Sequence, residues 1–333
     1  MIRKFVSTLI AITVASVSVS AFAACSKKTV SLISVVYDEQ AYLDNVSYKD
    51  RADIGEVNIA DGVPEIKAEL FSDCYNLEMI SIPSSVKKIG KQAFISCDIE
   101  TVEFRGSLSD WLKIELDFDV DNPLHNGARL YVWENGAVKR VEGEITVPSD
   151  VEKIEYGFVG IKGVDTLVIP SSVKSVGGGS FAYSEIKKIT VISAATHLSD
   201  GAFRDAVALE EVTLPSGTAA IPRYMFAHAY ALKKVNLPNS LKTVESFAFC
   251  ECYSLEELAL PDGTEDIGER AFTRCVNLRR ITLGKGIKKI QNSAFAGCEA
   301  LTNIYYKGSA EDWSKVAIAG GAIPSYTQVH FNA

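Results

Sequence analysis

Cysteine is the residue type with the clearest chemical potential in this chain of 333 residues, because five of its seven cysteines recur at one point of a regular spacing. Each lies three residues after a phenylalanine of that spacing: Cys74, Cys97, Cys252, Cys275 and Cys298. Thiols in such a pattern could form disulfides or hold a metal ion. Ala206 and Ala229 occupy the same position in other units, which favours a third interpretation, a column of small buried side chains.

Disulfides within this column are the alternative to buried thiols. Neighbouring strands lie about 5 Å apart, a separation that permits a disulfide, but parallel side-chain directions strain one. A metal site is disfavoured, because the spacing equals the repeat period and no histidine accompanies the thiols. We therefore expect reduced core thiols and no bound metal. Cys250 lies off the column and is the one candidate for an accessible thiol.

Catalytic chemistry finds little support in the rest of the chain. The four histidines are scattered, and none shares a motif with a nucleophile: His125, His197, His228 and His330. A G-x-S-x-G elbow, an H-E-x-x-H pair, a Walker loop and a G-x-G-x-x-G turn are all missing from the sequence. The sequence predicts a protein that is not an enzyme and needs no cofactor.

One acidic segment resembles the start of a calcium loop. Asp117, Asp119 and Asp121 alternate as EF-hand ligands do, but Asn122 replaces the turn glycine and Ala128 stands where the bidentate glutamate belongs. A solvated acidic loop is the favoured interpretation, with calcium binding as the minor alternative.

Charged pairs recur with the same period and alternate in sign. They are Lys187-Lys188, Glu210-Glu211, Lys233-Lys234, Glu256-Glu257 and Arg279-Arg280. Stacked in register, the pairs form a ladder in which opposite charges on adjacent strands contribute about 0.2–1 kcal/mol each. The ladder can be a recognition strip for a charged partner or, as we favour, a self-complementary sheet surface. Alternating sign is unlike a nucleic-acid footprint, so no nucleic-acid partner is expected.

The element that must position all these residues is a repeat of about 23 residues. Its marker phenylalanines are Phe71, Phe94, Phe181, Phe203, Phe226, Phe249, Phe272 and Phe295. A fixed period in this range is typical of a solenoid, in which each unit buries its apolar face only against its neighbours. The aromatic rings are expected to stack as one internal column.

Each unit also carries an L-x-x-I-x-I-P segment, as in Leu77–Pro83 and Leu209–Pro215. Alternating apolar residues indicate a half-buried strand, and proline marks where the strand leaves the sheet. Each coil therefore contributes one strand to a parallel sheet, and the polar residues between the apolar ones point outward.

Two related modules depart from the plain repeat. Residues 104–111 match residues 306–313, and both contain a Gly-Ser step and end in a tryptophan, Trp111 or Trp313. A solenoid needs its exposed core ends covered, so these modules are expected to close two arrays. After the first module, Asn135-Gly136 predicts a tight hairpin between two short strands.

The N-terminal 25 residues have the features of an export signal. Arg3 and Lys4 precede an apolar run, and Ala21-Phe22-Ala23 is an A-x-A cleavage sequence. Cys25 follows in a context similar to a lipobox, so two outcomes stay open: simple secretion, and lipidation of Cys25 that anchors the protein in a membrane. Removal of the signal changes the formal charge from −8 to −10, which disfavours anionic partners.

The strand segment, the I-G-x-x-A-F segment at 89–94 and 267–272, and the 23-residue spacing together resemble the BspA-type leucine-rich repeats of bacterial surface proteins. The resemblance covers nearly everything from about residue 57 onward. It implies an α/β solenoid, a leucine-rich-repeat horseshoe with a parallel sheet on one face and short helices or turns on the other. It also implies an exported protein that binds host or neighbouring-cell components, and it implies no catalysis.

The resulting organisation has four parts: a signal peptide over 1–25, an N-terminal cap or linker over 26–56, a first array with its closing module over 57–133, and a second array with its closing module over 134–333. A secreted or cell-surface protein is expected, one that binds a protein or glycan and meets membrane only through a lipid anchor. The outward strand positions are the candidate contacts: Glu211, Thr213, Lys234, Asn236, Glu257, Arg280, Thr282 and Tyr305. The alternatives are a structural envelope protein without a dedicated ligand, and a carbohydrate-binding protein that uses Trp111, Trp313 and nearby tyrosines.

Overall fold

A computed structural model describes residues 33–38 and 51–332. The predicted signal peptide, Cys25 and most of the predicted cap over 26–56 lie outside these residues. Within them, the chain forms a solenoid of parallel strands around one continuous hydrophobic core that runs from Tyr37 to Ala322. The predicted parallel-sheet solenoid is therefore confirmed.

Strands of three to six residues alternate with strands of two residues along most of the chain. In the first part the strands are β1 Ile33–Tyr37, β2 Ile54–Ile59, β3 Glu65–Ile66, β4 Met79–Pro83, β5 Lys88–Ile89, β6 Thr101–Arg105, β7 Glu115–Leu116, β8 Arg129–Glu134 and β9 Ala137–Arg140. In the second part they are β10 Gly143–Thr146, β11 Lys153–Ile154, β12 Val164–Ile169, β13 Ser175–Val176, β14 Lys188–Val191, β15 His197–Leu198, β16 Glu211–Thr213, β17 Ala220–Ile221, β18 Lys234–Asn236, β19 Thr243–Val244, β20 Glu257–Ala259, β21 Asp266–Ile267, β22 Arg280–Leu283, β23 Lys289–Ile290, β24 Asn303–Tyr306, β25 Ala317–Ile318 and β26 Gln328–Phe331.

The strands build two faces of the solenoid. The strand face carries the sheets β1-β2-β4-β6-β8-β9, β10-β12-β14-β16-β18 and β20-β22-β24-β26. The short-strand face carries β3-β5-β7, β11-β13-β15 and β17-β19-β21-β23-β25. Helices are few among the described residues: α1 over Leu108–Leu112, α2 over Ala310–Trp313, and single 3-10 turns over Arg51–Asp53 and Asp119–Asp121.

The remaining side of each coil, which we name the turn face, is a run of turns around the marker phenylalanine. Within it, backbone N–H groups donate to the next coil, as from Phe226 to Ala248 (2.8 Å) and from His228 to Cys250 (2.9 Å). Residues two before and two after the phenylalanine adopt positive φ in successive coils, as at Tyr224 (55°) and His228 (62°). Of the predicted "short helices or turns", the repeats use turns.

The phenylalanines form the predicted column. Phe226, Phe249 and Phe272 are fully buried, and their ring centroids are 5.0 Å apart at each step. Phe158 begins the column of the second array, 5.9 Å from Phe181, a member that the sequence analysis missed although it lies 23 residues earlier. Within each described array each ring covers the next, which keeps the apolar faces of the interior coils away from water.

The cysteines of the column are reduced and buried, as expected for core residues. The thiols of Cys252 and Cys275 donate to the carbonyl oxygens of Phe226 (3.2 Å) and Phe249 (3.0 Å) in the preceding coil. Burial raises the pKa of the Cys275 thiol well above its ordinary value. The thiolate is the reactive form of cysteine, and burial keeps reagents away from all five column thiols, so these cysteines should be chemically inert in the folded protein.

We therefore expect iodoacetamide to leave the five column cysteines unmodified in the folded protein at neutral pH, and to modify all of them after denaturation without a reductant. Mass spectrometry of the alkylated peptides provides the measurement. The internal comparison is Cys250, which is only partly buried and should react at an intermediate rate. Column cysteines that resist alkylation in denaturant until a reductant is added would show disulfides instead.

The first closing module ends the first set of sheets, and the predicted hairpin is present. β8 pairs with β9 in antiparallel register around Asn135 (φ 54°) and Gly136 (φ 78°). Positive φ at both central positions gives the turn the twist that an antiparallel pair needs. After the hairpin, β10 begins a new sheet by pairing with β12.

The arrays are nevertheless in direct contact across this module. The Trp111 indole N–H donates to the Gly157 carbonyl (2.9 Å), and the Lys162 N–H donates to the Ala128 carbonyl (3.0 Å). Gly160, with φ 67°, lies so close to Leu124 that an added Cβ would come within 2.0 Å of its carbonyl oxygen. The module joins the two parts of the core instead of separating them.

The two tryptophan modules share a local structure and differ in burial. Ser107 and Ser309 cap α1 and α2 in the same way, each accepting from the backbone N–H three residues later (3.1 Å). Trp111 is 2% exposed, whereas Trp313 is only partly buried at the far end of the core. The expectation that Trp111 could serve as a glycan platform is therefore wrong, because the second array covers it.

Candidate binding face

The strand face positions every residue that the sequence analysis selected as a contact. On β16, β18, β20, β22 and β24, apolar residues such as Val212 point into the core and the residues on either side point outward. All eight candidates are at least partly exposed: Glu211, Thr213, Lys234, Asn236, Glu257, Arg280, Thr282 and Tyr305. Their outward direction follows from the two-residue period of a strand.

The charge ladder forms between β14 and β18. Glu211 pairs in register with Lys188 and Lys234, and its carboxylate lies 3.3 Å and 2.9 Å from their ammonium groups. The Lys234 hydrogen bond is the main cause that lowers the pKa of Glu211 to about 2, with the Asn236 amide next. Glu211 is therefore ionised at any physiological pH, and this part of the ladder is internally neutralised.

Amide and hydroxyl groups extend the same patch. The Asn236 side-chain amide donates to the Glu211 carboxylate (2.9 Å) and to the Thr213 hydroxyl (2.9 Å). Four of the predicted contacts thus belong to one hydrogen-bonded cluster that includes Lys234. A partner that binds here must compete with these internal bonds, which favours a structural role for this part of the face.

The ladder is interrupted between β18 and β20. β18 is the last strand of one sheet and β20 the first of the next, although the phenylalanine column and the short-strand sheet continue past this point. Val235 and Leu258 are 8% and 7% exposed, whereas the corresponding Val212 and Ile281 are fully buried. The two strands are therefore separated at the surface while their coils remain packed in the core.

Beyond the interruption, the inner charges of the ladder form no ion pairs. Glu257 and Arg280 lie in register on β20 and β22, and both are exposed. Among the described residues, no ion pair within 4.0 Å involves either side chain. The Arg280 guanidinium instead lies 4.3 Å from the centroid of the Tyr305 ring, which stacks on His330 at 4.9 Å.

The outer members of the charged pairs form a second row. Lys233 bonds Glu210 (2.8 Å), Lys187 bonds Asp165 (2.7 Å), and Arg279 pairs with Glu256. The predicted alternation of sign is thus confirmed in register within each of the two sheets but not across the step from β18 to β20. Of the eight predicted contacts, Glu257, Arg280, Thr282 and Tyr305 are the four outside the hydrogen-bonded cluster around Glu211.

The acidic loop that resembled a calcium loop has a structural role at its last position. Asp121 is fully buried and accepts from the backbone N–H groups of Gln92 (2.6 Å) and Phe118 (2.9 Å). These bonds hold the 3-10 turn against the coil before it, so this carboxylate does not face a solvated ion site.

One histidine is not scattered, which corrects the sequence analysis. His228 lies beside Cys250 and Glu251 on the turn face, and one ligand atom from each lies within 4.8 Å of the others. His228 and Glu251 are 23 residues apart, so the repeat period itself would have placed them in adjacent coils. The missed signal was the alignment of this position across repeats.

The comparisons with known proteins agree with the fold. A family model described as "BspA type Leucine rich repeat region" matches in six copies over residues 3–113, 141–241 and 219–327. The chain belongs to this family. No curated protein sequence matches it significantly.

Solved structures of leucine-rich repeat proteins are similar in fold. The pneumococcal vaccine antigen PcpA is 19% identical over 85% of this chain and 76% of its own, with a TM-score of 0.52. A protein from Bacteroides ovatus is 20% identical over 84% of both chains, with a TM-score of 0.49. A leucine-rich cell-surface protein from Faecalibacterium prausnitzii is 22% identical over 79% of this chain and 82% of its own, with a TM-score of 0.40.

None of the helices in the described residues reaches the length and apolarity that a membrane span requires.

Proposed function

We propose that this BspA-type repeat protein is exported to the cell surface and binds another protein, without catalysis, through the strand face from β20 to β24. The observation that carries the proposal concerns Glu257 and Arg280. The two residues are neighbours in register on adjacent strands, both are exposed, and they form no ion pair with each other. Opposite charges that do not neutralise each other leave a polar pattern for a complementary partner to satisfy.

Aromatic surface beside these charges supports the same segment. Tyr305 presents a ring held between Arg280 and His330, and aromatic and arginine side chains are enriched where protein interfaces gain most of their affinity. By contrast, the cluster around Glu211 satisfies its own polar groups. Within the proposed face, we therefore place recognition at Glu257, Arg280, Thr282 and Tyr305, with Glu211, Thr213, Lys234 and Asn236 as the adjoining surface.

The test is a binding screen of the purified protein against extracellular-matrix proteins, bacterial envelope extracts and a glycan array, beside the double variant Glu257→Arg, Arg280→Glu. This variant keeps the net charge and inverts the local polarity. We expect saturable binding to at least one protein probe, and we expect the variant to weaken it by about tenfold or more because like charges then face the partner.

The matched control is Glu265→Lys, Lys288→Glu, which inverts an ion pair (2.6 Å) in the same two coils on the short-strand face. Binding that both double variants weaken equally would contradict recognition by the strand face. Saturable binding to a glycan that is lost in Trp313→Ala would instead favour the carbohydrate-binding alternative. No saturable binding to any probe would favour a structural envelope role.

A further inference from the structure

Three potential metal ligands meet on the turn face of the second array. An imidazole nitrogen of His228, the thiol sulfur of Cys250 and a carboxylate oxygen of Glu251 all lie within 4.8 Å of one another. His228 and Glu251 each follow a column phenylalanine by two residues and adopt φ 62° and 61°. The backbone N–H of His228 donates to the backbone carbonyl of Cys250 (2.9 Å), so the packing of the two coils fixes the positions of these residues relative to one another.

A carboxylate on the preceding coil contacts one nitrogen of the histidine ring. Its Nδ1 lies 2.7 Å from a carboxylate oxygen of Asp205, which occupies the same position one coil earlier. With Nδ1–H donating to that carboxylate, Nε2 keeps a free lone pair. Metal-binding histidines characteristically donate their other ring N–H to a carboxylate or carbonyl, which fixes the tautomer and raises the basicity of the ligand.

The other two groups differ in protonation when no metal ion is bound. Glu251 accepts from the Tyr253 hydroxyl (2.8 Å) and pairs with Arg274 (3.0 Å), and these contacts, Tyr253 first, lower the pKa of its carboxyl. Burial raises the pKa of Cys250 to about 11, with Glu251 adding to the shift and Arg274 and Arg270 opposing it. The metal-free thiol is therefore protonated, and a metal ion must displace that proton to bind.

We propose that His228, Cys250 and Glu251 form a binding site for a divalent transition-metal ion, with zinc the best match to the ligand set. Zinc binds nitrogen, sulfur and oxygen ligands. Calcium and magnesium prefer oxygen ligands alone, so this set of residues disfavours both ions. Bonds to zinc of about 2.0–2.3 Å place the ligand atoms of a tetrahedral site about 3.3–3.8 Å apart. Side-chain rotations that move the ligand atoms by roughly 1 Å would therefore complete the site. Three protein ligands leave the fourth position for water or for a group from a partner.

The experiment titrates the purified, reduced protein with Co²⁺, monitored by absorption, and then displaces the cobalt with Zn²⁺. We expect one cobalt per chain, with a thiolate-to-cobalt charge-transfer band. Cys250→Ser should abolish that band, His228→Ala should weaken binding by tenfold or more, and Asp205→Asn by about 10–100-fold, because a neutral amide replaces the carboxylate that accepts from His228 Nδ1–H.

Two control variants separate this site from other metal-binding groups. Cys252→Ala removes a column thiol two residues away, where Ala206 and Ala229 show that the fold accepts alanine, and His197→Ala removes an exposed histidine on β15. Both should bind cobalt like the parent protein. The proposal is overturned if no charge-transfer band forms, if the band persists in Cys250→Ser, or if Cys252→Ala removes it.

Discussion

Phe249→Ala should destabilise the protein by about 3–5 kcal/mol, which is among the largest effects that a single substitution can have in this chain. The ring is fully buried between Phe226 and Phe272, with centroids 5.0 Å away on both sides. Truncation leaves a cavity in the interior of the column, and both neighbouring rings lose a stacking partner. The midpoint of unfolding in urea, followed by circular dichroism, measures the change.

The control lies two residues away in the same coil. Phe247 is a partly buried aromatic of the turn face that stacks on Tyr224 at 4.9 Å. Its φ of 59° is unfavourable for phenylalanine and alanine alike, so Phe247→Ala removes ring contacts without changing the backbone penalty. We expect a loss of about 1 kcal/mol or less. Equal destabilisation by the two variants would show that the column does not dominate the stability of this coil.

The column was predictable because stacking makes one residue type recur at one spacing. Every interior coil surrounds the ring with the same neighbours, so the same side chain fits in each coil. The alternation of apolar and polar residues around Val212 likewise predicted which residues point outward. Phe158 was missed although it lies 23 residues before Phe181; Gly157 precedes it, and the Ala-Phe motif is likewise missing at Phe71, Phe181 and Phe226. The spacing was the more reliable signal.

The interruption of the strand face was not predictable from the repeat. β18 and β20 follow the same strand motif, and Lys234 and Glu257 have the opposite charges that favour pairing. Whether two such strands join depends on how their coils rotate on the shared core, which a local motif does not encode. The charge pattern therefore predicted the register of the ladder correctly and its continuity incorrectly.

The left-handed positions around each phenylalanine were hidden for a related reason. Glycine occupies some of them, such as Gly201 and Gly297, but many carry residues such as Asp205, His228, Glu251 and Arg274, which do not usually mark positive φ. Hydrogen bonds from these residues to the next coil impose the conformation, so the cause is tertiary. The cluster at His228 follows from that geometry, and only an alignment of repeat positions would have revealed it in the sequence.

Trp111→Ala should also destabilise the protein by about 3–5 kcal/mol and, in addition, separate its unfolding into two transitions. Trp111 packs edge-on against Phe104 at 5.5 Å in the first array, and its indole N–H donates to Gly157 in the second. In a solenoid, stability is approximately a sum of unit terms and interface terms, so a weakened interface lets the two sides unfold separately. Differential scanning calorimetry resolves the number of transitions.

The matched variant is Trp313→Ala in the equivalent module. Trp313 packs against Tyr306 at 5.0 Å, but it covers the far end of the core and connects no second array. Its loss should expose only the last coils, with a smaller shift in melting temperature and a single main transition. Two transitions in both variants, or in neither, would mean that the first module does not couple the arrays. The same tryptophan module would then act only as a cover, and the coupling would rest on the backbone contacts at Gly160 and Lys162.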